Sequence, residues 1–300
     1  MELWIPITIG AAVAQTFRFM LQKRLTGMAL STAGATFARF IYSAPLVAVI
    51  AVLYALMSRQ GAPNVPAAFW PYALAGGMSQ ILATMCVVAL FRHRNFAVGI
   101  TFKKTEVLLS ALFGFIILGD VFTTWTIVAM CIGLAGVLLL SDPPDGVGPW
   151  RKRIFNRATA LGLGAGILFG ISGNGYRGAS LSLAEGDVFY RAIVTLALVT
   201  AFQTITMALW LIWRERGEIT KVLRAWRVAA LVGVTSMIGS ICWFTAFTLQ
   251  NAAYVNAVGQ IELLFSVIIG ATVFGERITA REWQGLVLLT GSIIMLVLLL

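Results

Sequence analysis

Charge is what this chain lacks most. Only 11% of its 300 residues are Asp, Glu, Lys or Arg, against about 25% in soluble domains. Meanwhile 59% are hydrophobic and the mean hydropathy is +0.90. Such a composition excludes most soluble folds. A membrane helix needs about 20 apolar residues, so ten spans would occupy roughly 200 positions and leave only short connections. No room remains for a soluble catalytic domain.

Histidine and cysteine are almost as scarce. The single histidine, His93, lies in a basic connection, and no HExxH pair, GxSxG elbow or P-loop occurs. Cys86, Cys131 and Cys242 fall inside apolar runs without a CxxC spacing, which excludes a disulfide framework and a zinc site. A pair of glutamates offers acid/base groups, but nothing marks a nucleophile. The chain is therefore read as no enzyme, with no cofactor and no metal.

Acidic residues are outnumbered, 12 against 22 Lys and Arg, for a net charge of +10. In a soluble chain this would point to nucleic acid. In one so apolar, basic loops hold helices in orientation against the cytoplasmic face, and no nucleic-acid partner is expected. The first segment, from Leu3, begins without a basic n-region and runs into Phe17-Arg18-Phe19. That reads as a retained span and not as a signal peptide.

What is present is a series of ten apolar runs, at about 3–21, 33–57, 67–91, 96–118, 122–141, 158–180, 187–213, 227–249, 253–274 and 281–300. The most polar interruption, Ser141-Asp142-Pro143-Pro144-Asp145-Gly146 followed by Trp150-Arg151-Lys152-Arg153, falls at the midpoint, and its prolines and glycines cannot continue a helix. Sliding the chain by 156 residues aligns Cys86 with Cys242, Asn95 with Asn251, Glu106 with Glu262, Ser110 with Ser266 and Gly119 with Gly275. Positions 70–123 share 13 identities with 226–279 without a gap, where chance would give about four. A shift of 152 places Phe37-Ala38-Arg39 on Phe189-Tyr190-Arg191.

Duplication of a five-span unit follows. Because five is odd, the second copy enters the membrane inverted, an arrangement common among transporters with a site between the repeats. The expected fold is an all-α integral membrane protein of ten transmembrane helices in two inverted five-helix repeats: residues 1–141, a linker at 142–157, and 158–300. Alternate connections carry 15 basic residues on one side and only Arg59 and Arg177 on the other. The positive-inside rule then places both termini outside the cytoplasm.

Some polar residues sit too deep to be interfacial. Lys103, Lys104 and Glu106 lie about 10–15 Å inside the fourth span at 1.5 Å per residue. Ionisable groups at that depth face a bundle interior or a water-filled cavity. Lys103 and Glu106, three apart, can pair on one helix face. Glu262 has no lysine beside it in its own span, only Asn256 and Gln260. Gln15 and Arg18 in the first span, Gln80 and Thr84 in the third, and Ser236 and Ser240 in the eighth are similarly deep. Hydroxyls of this kind also bond back to their own helix or tie helices together. Most tryptophans mark span ends, as interfacial belts do; Trp243 alone is mid-span, suited to stacking on a ligand or to core packing. In Gly170-Ile171-Ser172-Gly173-Asn174-Gly175 the glycines permit either close helix packing or an unwound backbone. The candidate substrate-binding residues are Gln15, Gln80, Thr84, Lys103, Glu106, Trp243, Asn256, Gln260 and Glu262. Ser292, near the end of the tenth span, is expected to matter little.

Two five-span repeats, each with a Gly-acidic step after its fourth span, resemble the drug/metabolite transporter superfamily of ten-span, EamA-type exporters. The matching residues are Lys104-Thr105-Glu106-Val107-Leu108-Leu109-Ser110 with Gly119-Asp120, and Glu262-Leu263-Leu264-Phe265-Ser266 with Gly275-Glu276-Arg277-Ile278-Thr279. Arg39-Phe40 also fits. Asp120 departs from the family's usual Glu, and the external termini depart from the cytoplasmic ones of many members. The resemblance implies a secondary transporter or facilitator of small metabolites in the bacterial inner membrane, most similar to the aromatic amino-acid exporter branch. Its expected partners are an amino-acid substrate and the lipid bilayer, and the chain is expected to act as a monomer. Multidrug or other-metabolite export is the alternative, and a membrane scaffold or receptor would leave the deep charges unexplained. Glu106 and Glu262 are both candidates to carry a coupling proton, since burial raises a carboxyl pKa.

Overall fold

The computed structural model describes residues 2–27, 30–61, 63–90, 103–141, 157–265 and 280–299. The described residues are all-helical: 85% of them lie in helices and none in a strand. Its helices are α1 (Trp4–Thr26), α2 (Thr32–Met57), α3 (Phe69–Leu90), α4 (Glu106–Phe113), α5 (Thr124–Ser141), α6 (Arg157–Ser182), α7 (Val188–Arg214), α8 (Glu218–Arg224), α9 (Trp226–Leu249), α10 (Ala252–Gly259) and α11 (Ala280–Leu298). By length and composition α1, α2, α3, α7 and α9 suffice to cross a membrane.

The surface is inverted relative to a soluble protein. Leu56, Phe115, Ile116, Trp125, Leu209, Trp213 and Val287 stand exposed, whereas Arg18, Arg39, Lys103, Lys104, Glu106 and Glu262 are buried. Apolar side chains facing outward and ionisable ones inward is what lipid selects.

Helix packing is intimate where glycine allows it. α3 lies along α6, and a Cβ on Gly175 would sit 2.8 Å from the Cα of Gly76, so close approach requires glycine at both positions. α6 is continuous through Gly170–Gly175; these glycines serve packing, not unwinding. α1 packs on α9, α5 on α11, and α2 on α7.

The α2–α7 pair is antiparallel and tied at both ends. At one end Ser31 caps α2 by accepting from Gly34 N (2.9 Å), and the Glu218 carboxylate accepts from Ser31 N and pairs with Lys221 Nζ at 3.0 Å. At the other, Asp187 caps α7 through Tyr190 N (2.9 Å) and accepts from Tyr54 Oη at 2.9 Å. Ser31 and Asp187 are both N-cap acceptors satisfying helix-start N–H groups. Burial alone would raise the Glu218 carboxyl, but the Ser31 backbone N–H, Lys221 and the Ser31 hydroxyl outweigh it and hold the pKa below its ordinary value.

The described part of the fourth predicted span turns at Lys104-Thr105 before α4 begins, and α4 runs into a π-helical turn at Gly114–Leu118. The ninth also breaks: α10 stops at Gly259, the chain turns at Gln260-Ile261, and helix resumes at 262. The two breaks coincide under the 156-residue shift. The apolar runs predict continuous spans at both places, and the turns correct that expectation. Residues 91–102, which include His93, the linker at 142–156, and residues 266–279 with the second Gly-acidic step lie outside the described residues.

Candidate functional site

Seven elements converge on one cavity, because each carries a polar residue that lipid would reject or an aromatic one that faces it. Gln15 and Arg18 come from α1, Arg39 from α2, Gln80 from α3, Lys103 and Glu106 from the start of α4, and Asn256 from α10. α6 and α9 supply an aromatic wall of Phe169, Tyr176, Trp243, Phe244 and Phe247. Tyr176 stacks on Phe244 with centroids 4.2 Å apart, and Trp243 on Phe247 at 5.6 Å. The cavity holds about 510 Å³ of empty space counting its open mouth.

The charges at the wall do not balance. Lys103 Nζ pairs with Glu106 Oε1 at 2.9 Å and lies 5.1 Å from the Phe169 ring centroid. Arg39 is 3% exposed, yet its donors reach only hydroxyls: Nε to Ser236 (2.7 Å), Nη1 to Thr84 (3.2 Å) and Nη2 to Ser240 (3.4 Å). Arg18 donates to Gln15 Oε1 at 3.3 Å, and its buried Nε has no hydrogen-bond acceptor among the described residues. Among the described residues, three cations thus face one carboxylate. The Trp243 indole N–H is also without an acceptor among the described residues, so the wall offers donors in excess.

Beside the cavity, Glu262 accepts from Gln15 Nε2 at 2.8 Å and forms an ion pair with Lys104. Glu262 therefore does have a lysine, supplied by the other half of the chain. Asn256 Nδ2 donates to Ser110 Oγ at 2.7 Å. Gln203 Nε2, on α7, donates to Gly77 O, Gln80 Oε1 and Tyr176 Oη at 3.0–3.1 Å, which fixes the Gln80 amide at the cavity wall.

Of the nine sequence candidates, Gln15, Gln80, Lys103, Glu106, Trp243 and Asn256 line the cavity. Thr84 stands behind it, holding Arg39. Glu262 stands behind Gln15. Gln260 faces a separate, smaller cavity with Lys104, Met130 and Ser292, and neither of its amide atoms finds a partner among the described residues. Arg39, Tyr176 and Gln203 are not among those nine. Arg39 carried a usable signal, a guanidinium inside an apolar run; Gln203 carried the same signal in the seventh span. Tyr176 carried none, since a buried tyrosine in a helix reads as core. Ser292 is buried, donates to Ala129 O at 2.6 Å, and packs where a Cβ on Gly133 would lie. It joins α11 to α5. Among the described residues no group of His, Cys, Asp and Glu is placed to hold a metal ion.

Comparison with known proteins agrees with this architecture. Residues 157–298 match the model of the EamA-like transporter family, which supports the drug/metabolite transporter superfamily. With the apolar helices, that match indicates a multi-pass membrane protein and suggests a transporter of small molecules. No curated protein matches the chain. One solved crystal structure superposes with a TM-score of 0.67 over 97% of this chain and 99% of its own, at 14% identity. That likeness is one of fold.

Proposed function

We propose that the chain is a secondary transporter, an exporter or facilitator, that moves amino acids including aromatic ones across the bacterial inner membrane by alternating access. The observation that carries this reading is the cavity itself: three cationic side chains against one carboxylate, beside an aromatic wall. Buried guanidinium groups facing neutral hydroxyls are costly, and a bound carboxylate offsets that cost through charge-assisted hydrogen bonds. Glu106 would receive the substrate's ammonium, and Trp243 with Phe247 its ring.

Ten spans in two inverted five-helix repeats supply the framework. Exchanging the repeats turns the α1–α9 contact into the α6–α3 contact and returns the α2–α7 and α5–α11 pairs to themselves. Thr84 and Ser240, equivalent under the 156-residue shift, both hold Arg39. The helix breaks at Lys104-Thr105 and Gln260-Ile261 flank the cavity region from equivalent positions. Discontinuous helices at a repeat interface are where such transporters bind substrate. Termini outside the cytoplasm and action as a monomer belong to the same proposal.

A multidrug exporter of the same superfamily is the alternative, favoured by the size of the aromatic wall alone. Flux decides between them. Proteoliposomes of the purified chain, loaded with labelled tryptophan, should release it faster than protein-free vesicles, and unlabelled tryptophan outside should exchange with it. Background release of tryptophan with rapid movement of a hydrophobic cation would favour the multidrug reading.

A further inference from the structure

A second polar cluster lies at the far end of α4, away from the cavity charges. The π-helical turn Gly114–Leu118 ends on Gly119 in the left-handed region (φ 71°), and Asp120 N bonds back to Gly114 O at 3.1 Å. π turns are uncommon and frequent at functional sites. This one swings the Asp120 carboxylate back over Gly114, where Asn174 arrives from α6. The Asn174 amide nitrogen donates to two carbonyls, Ser110 O at 3.0 Å and Gly170 O at 2.9 Å. Neither can donate in return, so the amide orientation is fixed and Oδ1 must face Gly114. Asp120 Oδ2 and Asn174 Oδ1 lie 2.8 and 3.0 Å from the point a Gly114 Cβ would occupy. Both atoms are buried, and neither has a hydrogen-bond donor among the described residues. Asn174 is 0% exposed.

Two acceptor oxygens turned toward one buried spot repel unless something with a hydrogen sits between them. We propose that this is a proton-binding site: Asp120 takes up one proton on Oδ2 and donates it to Asn174 Oδ1. The only charged group of the described residues placed against Asp120 is Arg177 of α6, with Nη2 at 4.0 Å from Oδ1, too far for a hydrogen bond. Burial raises the Asp120 pKa and Arg177 opposes it. Glu106 and Glu262 are each paired with a lysine.

Both residues of the site have neighbours that reach the cavity. Arg177 Nη1 also donates to Phe247 O at 3.1 Å, and Phe247 stacks on Trp243. On the other side Asn174 holds Ser110, whose hydroxyl accepts from the cavity residue Asn256. Protonation of Asp120 neutralises the partner of Arg177 and so frees it toward Phe247. On the transport reading, proton occupancy and substrate occupancy are thereby linked, and efflux of substrate is coupled to this carboxyl.

Infrared difference spectra of the full chain in proteoliposomes, recorded between acid and alkaline buffer, test the site without any substrate. The protonated-acid C=O band of one carboxyl, titrating above an ordinary aspartate, is expected. Asp120→Asn should abolish it, Asn174→Ala should shift its midpoint and frequency, and Glu106→Gln should leave it in place. Survival of the band in Asp120→Asn overturns the proposal. If Asp120→Asn does not fold, an unchanged band in Asn174→Ala overturns it equally. A band behaving as expected in a chain that moves no amino acid would leave the proton site standing and remove the transport reading instead.

Discussion

Glu106 and Glu262 occupy equivalent places in the sequence repeat, yet they are neutralised in opposite ways. Glu106 pairs with Lys103, three residues before it on its own chain segment, and both face the cavity. Glu262 pairs with Lys104 from the other half of the chain and takes a further hydrogen bond from Gln15 of α1. The 156-residue shift matches the backbone position and the carboxylate but not the bonding. One pair serves the wall of the cavity; the other joins the two halves of the chain behind it.

The largest effect should come from cutting the second pair. Glu262→Gln leaves Lys104 buried and without its carboxylate, and removing one member of a buried pair costs about 3–5 kcal/mol. Thermal unfolding in detergent should show that loss, and Lys104→Gln combined with Glu262→Gln should recover most of it. Glu106→Gln should cost less, since Lys103 keeps the Phe169 face and a cavity that water can enter. Equal losses would erase the distinction between the pairs.

Next in size is Arg39. Arg39→Ala removes a charge-assisted contact to the proposed carboxylate, about 1.5–3 kcal/mol, or roughly ten- to a hundredfold in substrate affinity. Arg39→Lys should recover only part, because an ammonium lacks the planar fork. Gln80→Ala should reduce flux less, about tenfold or below, by freeing the Gln203 amide that orients it. Flux at matched protein level checks all three.

Smaller effects belong to the ends of the bundle. Glu218→Gln should destabilise the start of α2 by about 1–2 kcal/mol. Because the folded carboxyl is held below its ordinary value of 4.5, this stabilisation is complete above that value and is lost as pH falls through the lower folded one. Unfolding midpoints of Glu218→Gln and the parent chain should therefore converge in acid. Ser292→Ala should cost about 1 kcal/mol at unchanged flux, since it joins α11 to α5 away from the cavity.

The helices and most of the cavity were legible in the sequence for a single physical reason. A bilayer makes misplaced polarity expensive, so Gln15, Gln80, Lys103, Glu106 and Asn256 stood out by depth alone. The same cost applied to Arg39 and Gln203, whose surroundings of alanine and aromatic residues looked like ordinary spans. The Lys104–Glu262 pair was not legible: its members lie in different halves of the chain, and no local spacing announces a contact between them. Nor were the breaks at Lys104-Thr105 and Gln260-Ile261, which contain neither proline nor glycine.

The central claim is that the cationic excess in the cavity selects a carboxylate. Competition against labelled tryptophan in proteoliposomes tests it directly, with tryptamine, which keeps the ring and ammonium but lacks the carboxylate, and indole-3-propionate, which keeps the ring and carboxylate but lacks the ammonium. Indole-3-propionate should compete and tryptamine should not, and Arg39→Ala should weaken the acid's competition. Competition by tryptamine as strong as by the acid, unaffected by Arg39→Ala, would contradict the claim.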